Sequence, residues 1–149
     1  MSITESRRTV LDRAVQELAG TRMWFGSSGH LVTGDQAASH LEAAAALMER
    51  HNWDPQLYAP LTGHHIWDAL HRTRLDGTGD EDTQSIARSL LEMLLRLLTG
   101  APYVDYESWS EHPSRTLPDV LVLLRAAADL AREHGPAAAP DTRRGRIQP

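Results

Sequence analysis

The chain has 149 residues, a formal net charge of −5, no cysteine and no lysine, so all fifteen of its basic residues are arginine. That length suits one domain with a substantial core, and the missing cysteines exclude disulfides, thiolate metal sites and thiol nucleophiles. The missing lysines remove Schiff-base chemistry and the lysine of a phosphate-binding loop, and the acidic balance argues against a general nucleic-acid footprint.

Residues Met1 to Arg8 are polar, and the oiliest stretch, Leu90 to Leu98, is broken by Glu92 and Arg96. Neither an export signal nor a membrane span is expected, which makes the cytoplasm the expected compartment. Val10, Leu11, Ala14, Val15 and Leu18 recur at helical spacing after Thr4, predicting a first helix to about Ala19 with Gly20 as its stop. Met23-Trp24-Phe25 and His30-Leu31-Val32 flank Gly26-Ser27-Ser28-Gly29, and two short apolar runs around such a tetrapeptide predict a small β-hairpin near residues 23–32.

Thr33 and Gln36 have the spacing of a capping box and open a second helix through Ala37, Leu41, Ala44, Ala45 and Met48, ending near Asn52. Thr62 caps the predicted third helix, which carries Gly63 to His71 and runs to the turn-forming Asp76-Gly77-Thr78-Gly79-Asp80. A fourth helix starts around Asp82 or Thr83 with acids at its positive end; apolar residues cover more than one of its faces, and Gly100 and Pro102 end it. An irregular stretch then leads to Thr116, where Thr116-Leu117-Pro118-Asp119 supplies a cap, an early proline and a first-turn acid for the last helix. That helix carries Val120, Leu121, Leu124, Ala127, Ala128 and Ala131 to Gly135, and an arginine- and proline-containing tail expected to be disordered follows from Pro136.

The densest set of reactive side chains is Gly63 to His71. On a helix His64, Asp68 and His71 fall within roughly 60° of one another, away from Ile66, Ala69 and Leu70. Two imidazoles and a carboxylate match the ligand count of a catalytic zinc or iron site. Histidines seven apart, however, are separated by about 10 Å along a helix axis and do not readily share one ion. No glutamate has a histidine three residues later, and no two histidines are four apart. The trio therefore reads first as a solvated polar face, and no metal or cofactor is expected. Ser27 and Ser28 lack a nucleophile elbow, and Asp105, Glu107 and Glu111 have no distinguishing pattern.

All eight aromatic residues lie between Trp24 and Trp109, and only Trp67 falls on a predicted helix. They plug the ends of the bundle or line a pocket or partner patch. In the second case Trp53, Trp67, Tyr106 and Trp109 form the walls and Arg115 an anion anchor. Arg143, Arg144 and Arg146 are the one place where nucleic acid would find basic charge.

Trp109-Ser110-Glu111-His112-Pro113-Ser114-Arg115-Thr116, followed by Val120, Leu124, Ala126 and Ala127, resembles a motif of an actinobacterial and phage-associated family of unknown function. That family shows a tryptophan, an Asn-Asp pair, then Arg-Thr before an alanine-rich final helix. Leu41 to Trp53 is similar to its opening helix. Here Ser110-Glu111 stands in place of the Asn-Asp pair, and the first helix and the Trp24-Phe25 region are additions. The resemblance implies no activity, but it implies that Trp109 is buried and that Arg115 and Thr116 organise the entrance to the last helix.

The expected architecture is mainly α, an irregular bundle of four to five helices over residues 1–135 with a flexible tail over 136–149. The expected function is a non-enzymatic cytoplasmic interaction or regulatory module, acting on a protein partner or by self-association through the oily fourth helix. The alternatives are a small-molecule-binding protein or small enzyme using the aromatic loops, and a metal-dependent hydrolase.

Overall fold

The computed structural model describes residues 3–19, 22–54 and 64–138. Among the described residues six helices follow one another: α1 (Ile3–Ala19), α2 (Gly34–His51), α3 (Ile66–Leu75), α4 (Glu81–Thr99), α5 (Tyr106–Ser110) and α6 (Leu117–His134). The fold is mainly α, with one helix more than the four to five expected. The addition is α5, which lies in the stretch anticipated as irregular: Asp105 accepts the backbone N–H of Glu107 and starts a single turn.

Local chemistry explains most helix ends. Thr33 with Gln36, Asp80 with Thr83, and Thr116 with Asp119 each form a reciprocal capping box that satisfies two otherwise orphaned N–H groups. Gly100 ends α4 in the left-handed conformation. The caps expected at Thr33 and Thr116 are in place, and α4 starts one residue ahead of Asp82. α1 already begins at Ile3, which puts Thr4 inside its first turn.

α2 packs most extensively against α6. Ala37, Ala38, Ala44 and Ala45 on one helix and Ala127, Ala128 and Ala131 on the other are all buried, and such small side chains let two helix axes approach closely. Arg125 pairs with Glu49 and Arg132 with Glu42, so the two helices run antiparallel. α4 lays Ile86, Leu90, Leu91, Leu94 and Leu95 into the same core, and α1 adds Ala14 and Leu18.

The hairpin expected near residues 23–32 is not formed. Among the described residues the segment holds one isolated antiparallel bridge, Phe25 with Leu31, and no strand. Trp24 and Val32 are buried and Met23 packs partly against the core, whereas Phe25 and Leu31 stay exposed, and a two-stranded ribbon without a third strand is marginal. The segment is instead a loop closed by Gly26 N–H to His30 O (3.0 Å) and Val32 N–H to Trp24 O (2.8 Å). The Ser28 hydroxyl donates to the buried carboxylate of Asp82 and ties the loop to the start of α4. Thr62, Gly20 and the tail over 139–149 lie outside the described residues. Pro136, just past α6, accepts the Gly34 N–H at 2.9 Å.

Candidate functional site

Two candidate surfaces meet at α5. One is the segment before and along α3. His64 is not helical: its N–H donates to Asn52 O (3.0 Å) and its carbonyl accepts the Asp54 N–H (3.1 Å), a parallel bridge that holds it extended beside Trp53. The helix begins two residues later, with His65 as its cap. The expected stripe of His64, Asp68 and His71 therefore comes only partly together. His64 Nδ1 lies 2.5 Å from Asp68 Oδ2. His71 is apart from that pair; its ring stacks on Trp67 with centroids 4.8 Å apart and 11° between planes, and its Nδ1 accepts from Arg74 Nη2 (3.1 Å). Arg74 Nε in turn donates to Gln84 on α4 (2.8 Å), locking α3 to its neighbour.

Glu107, at first sight an ordinary loop acid, joins α5 to this segment. Its Oε1 accepts the Trp67 N–H (2.5 Å), one of the orphaned donors at the start of α3, and lies 3.3 Å from His65 Nδ1. Burial pushes the Glu107 carboxyl above its usual range, while the Trp67 N–H and the His65 ring pull it back. Trp67 keeps 38 % of its surface exposed with His65 and His71 flanking it. Among the described residues no group of three or more histidines and acids is placed to hold a metal ion.

The second surface is an open groove of about 480 Å³ between α1, α4 and α6, with Trp109 of α5 at one end. Leu11, Leu94, Leu98, Val122 and Leu123 give it apolar walls; Arg115 and Asp119 stand at its rim. The Arg115 guanidinium sits 3.9 Å above the centre of the Trp109 ring, and its Nε donates to Trp109 O (3.0 Å). That stack and the Thr116 cap fix the entrance to α6, so Trp109, Arg115 and Thr116 do lie together, with Trp109 half-buried rather than fully enclosed.

The expected aromatic set does not converge on one pocket. Tyr106 is buried in the core, with Arg88 5.9 Å from its ring centre, and burial pushes its phenol up to about 12. Trp53 is half-buried against the core, its indole N–H without a hydrogen-bond partner among the described residues. Only Trp109 and Arg115 of the expected pocket residues reach the groove; Trp67 serves the α3 face. The aliphatic walls of the groove were foreshadowed only by the excess apolar coverage of α4, because Leu11 and Val122 read in sequence as parts of ordinary helix stripes.

Residues 32–130 match the model of a family described as a family of unknown function, DUF6197. The matched span runs from the start of α2 to near the end of α6, leaving α1 and the 24–31 loop before it. No curated protein and no solved structure matches the chain.

Proposed function

Starting from a chain that belongs to the DUF6197 family, a family of unknown function, we propose a non-enzymatic cytoplasmic interaction module that pairs with a second copy of itself across the groove between α1, α4 and α6. The observation that carries this reading is the clustering of three exposed aliphatic side chains from three helices around one cavity. Leu11 is 48 %, Leu98 55 % and Val122 67 % exposed. Apolar patches of this kind, rimmed by polar residues, mark interaction surfaces. Fully burying a side chain of this type contributes about 1.5–3 kcal/mol, of which covering the exposed part here supplies roughly half, and a two-fold interface makes each contact twice.

A second copy suits the rim. Arg115, just before the cap of α6, and Asp119, in its first turn, both line the groove, and Arg115 has no ion-pair partner among the described residues. Juxtaposed by a two-fold axis, Arg115 of each copy faces Asp119 of the other, so the patch complements itself in charge as well as in apolar shape. Stacking on Trp109 already holds the guanidinium in place, which lowers the ordering cost of using it at an interface.

The solution mass tests the proposal. The expected result is a dimer at micromolar concentration that Val122→Glu converts to a folded monomer with the same helical circular dichroism, since the substituted position is exposed, and with a lower melting temperature, because association no longer stabilises the native state. A wild-type protein that stays monomeric throughout the micromolar range, or a Val122→Glu variant that stays dimeric, overturns it.

A further inference from the structure

His40 is fully buried beneath the turn between α3 and α4, and each of its ring nitrogens faces a backbone carbonyl. Nε2 lies 2.9 Å from Leu70 O in α3, and Nδ1 lies 2.9 Å from Thr78 O in the turn between α3 and α4. A carbonyl oxygen only accepts, so both contacts are hydrogen bonds only when both nitrogens carry protons. A neutral ring has one N–H. Its other nitrogen then turns a lone pair on a carbonyl oxygen at the same distance, and one of the two contacts has to open.

The backbone indicates which one gives way. Leu70 lies inside α3, and shifting its carbonyl means shifting the helix. Thr78 sits between Gly77 (φ 103°) and Gly79 (φ 82°), where the chain has the freedom of two glycines in the left-handed half of conformational space. Gly79 lies directly on the ring, since a Cβ placed there would come within 2.5 Å of Nδ1.

We propose that His40 is a proton-gated tie: as the imidazolium it holds α2 to both α3 and the 77–79 turn, and as the neutral imidazole it keeps one and releases the turn. Two charged groups face the ring, Arg74 from α3, which opposes the cation, and Asp80 at the start of α4, which favours it. Burial outweighs both carbonyls and holds the group below its ordinary value of 6.5, so the gate acts on the acid side of neutrality. Between two arrangements that both keep the ring buried, the one with Thr78 docked binds the proton more tightly. Acid therefore favours docking. The turn also walls a polar cleft of about 610 Å³ opposite Asp35, Gln36 and Ser39, so docking sets the width of that cleft.

The experiment is an NMR titration of the whole chain from mildly alkaline pH down to the onset of unfolding. It follows the ring nitrogens of His40 together with the Thr78 carbonyl carbon and the Gly79 amide. The expected result is that both ring nitrogens become protonated below 6.5 and that Thr78 and Gly79 shift with the same midpoint. In His40→Gln that shift is absent. A ring that titrates while Thr78 and Gly79 stay still overturns the proposal, and so does a ring that stays neutral until the protein unfolds. The wild-type titration decides the matter even where His40→Gln fails to fold.

Discussion

At the scale of single residues, the informative positions are polar groups whose partners come from distant parts of the chain. Asp82 is buried at the start of α4 and takes its hydrogen bond from Ser28, 54 positions earlier. Without that hydroxyl the carboxylate keeps, among the described residues, a long contact to the Ser28 N–H at 3.5 Å. Ser28→Ala therefore destabilises the fold by about 1–3 kcal/mol, the cost of leaving a buried acceptor unsatisfied. Chemical denaturation measures it, and a loss near zero shows that water replaces the hydroxyl. Nothing in Gly-Ser-Ser-Gly distinguishes this serine from one in any exposed turn. His64 teaches the same lesson in reverse. Its place on a helical wheel with Asp68 and His71 assumed that the helix had already begun, whereas pairing with Asn52 and Asp54 keeps His64 extended. His64 and Asp68 still meet at 2.5 Å, but His71 turns to Trp67.

At the scale of elements, the contact between α2 and α6 organises the rest. Gly34 opens α2 where α6 ends: its N–H donates to Pro136 O at 2.9 Å, and a Cβ on it would fall 2.0 Å from the Ala131 carbonyl oxygen and 3.0 Å from the Gly135 Cα. The obstacle is backbone at the end of a packed helix, so it does not rotate aside as a side chain would. Gly34→Ala consequently costs at least the 1–3 kcal/mol or so typical of overpacking, although alanine is the better helix former. A melting temperature equal to that of the wild type means that the two helices separate without penalty. The caps of α2 and α6 were legible in the sequence because Thr33 with Gln36 and Thr116 with Asp119 carry their partners three residues away. The expected hairpin fails to form for a corresponding reason. Alternating apolar runs around a glycine-rich turn make a strand only when a neighbouring strand covers them, and here the neighbour is the start of a helix.

At the scale of the whole molecule, the pH response adds the contributions of groups that folding brings into new surroundings. The folded-state value of His40 is depressed below 6.5, so its contribution to stability is fully present above 6.5 and is lost as pH falls through the folded value. Tighter docking of the turn in acid and a lower overall stability in acid coexist, because the first compares two buried states and the second compares buried with unfolded. Glu107 has the opposite sign: its folded value is raised above 4.5, so its contribution is full below 4.5 and declines as pH rises through the folded value. Glu107→Gln keeps an oxygen to accept the Trp67 N–H and removes the charge, and it should raise the melting temperature near neutrality by an amount that vanishes below 4.5. Melting curves across pH check this, and a Glu107→Gln variant less stable than wild type at neutral pH contradicts it. By itself the sequence determined the mainly helical class, the order of the long helices and most of their ends, because periodicity and capping act within a few residues. Tertiary structure alone decided that Trp109 and Arg115 close an aliphatic groove, that Glu107 caps a helix about 40 positions before it, and that His40 lies between two carbonyls. Those contacts join residues far apart in the chain, and no local pattern records which distant atoms will be neighbours once the core has packed.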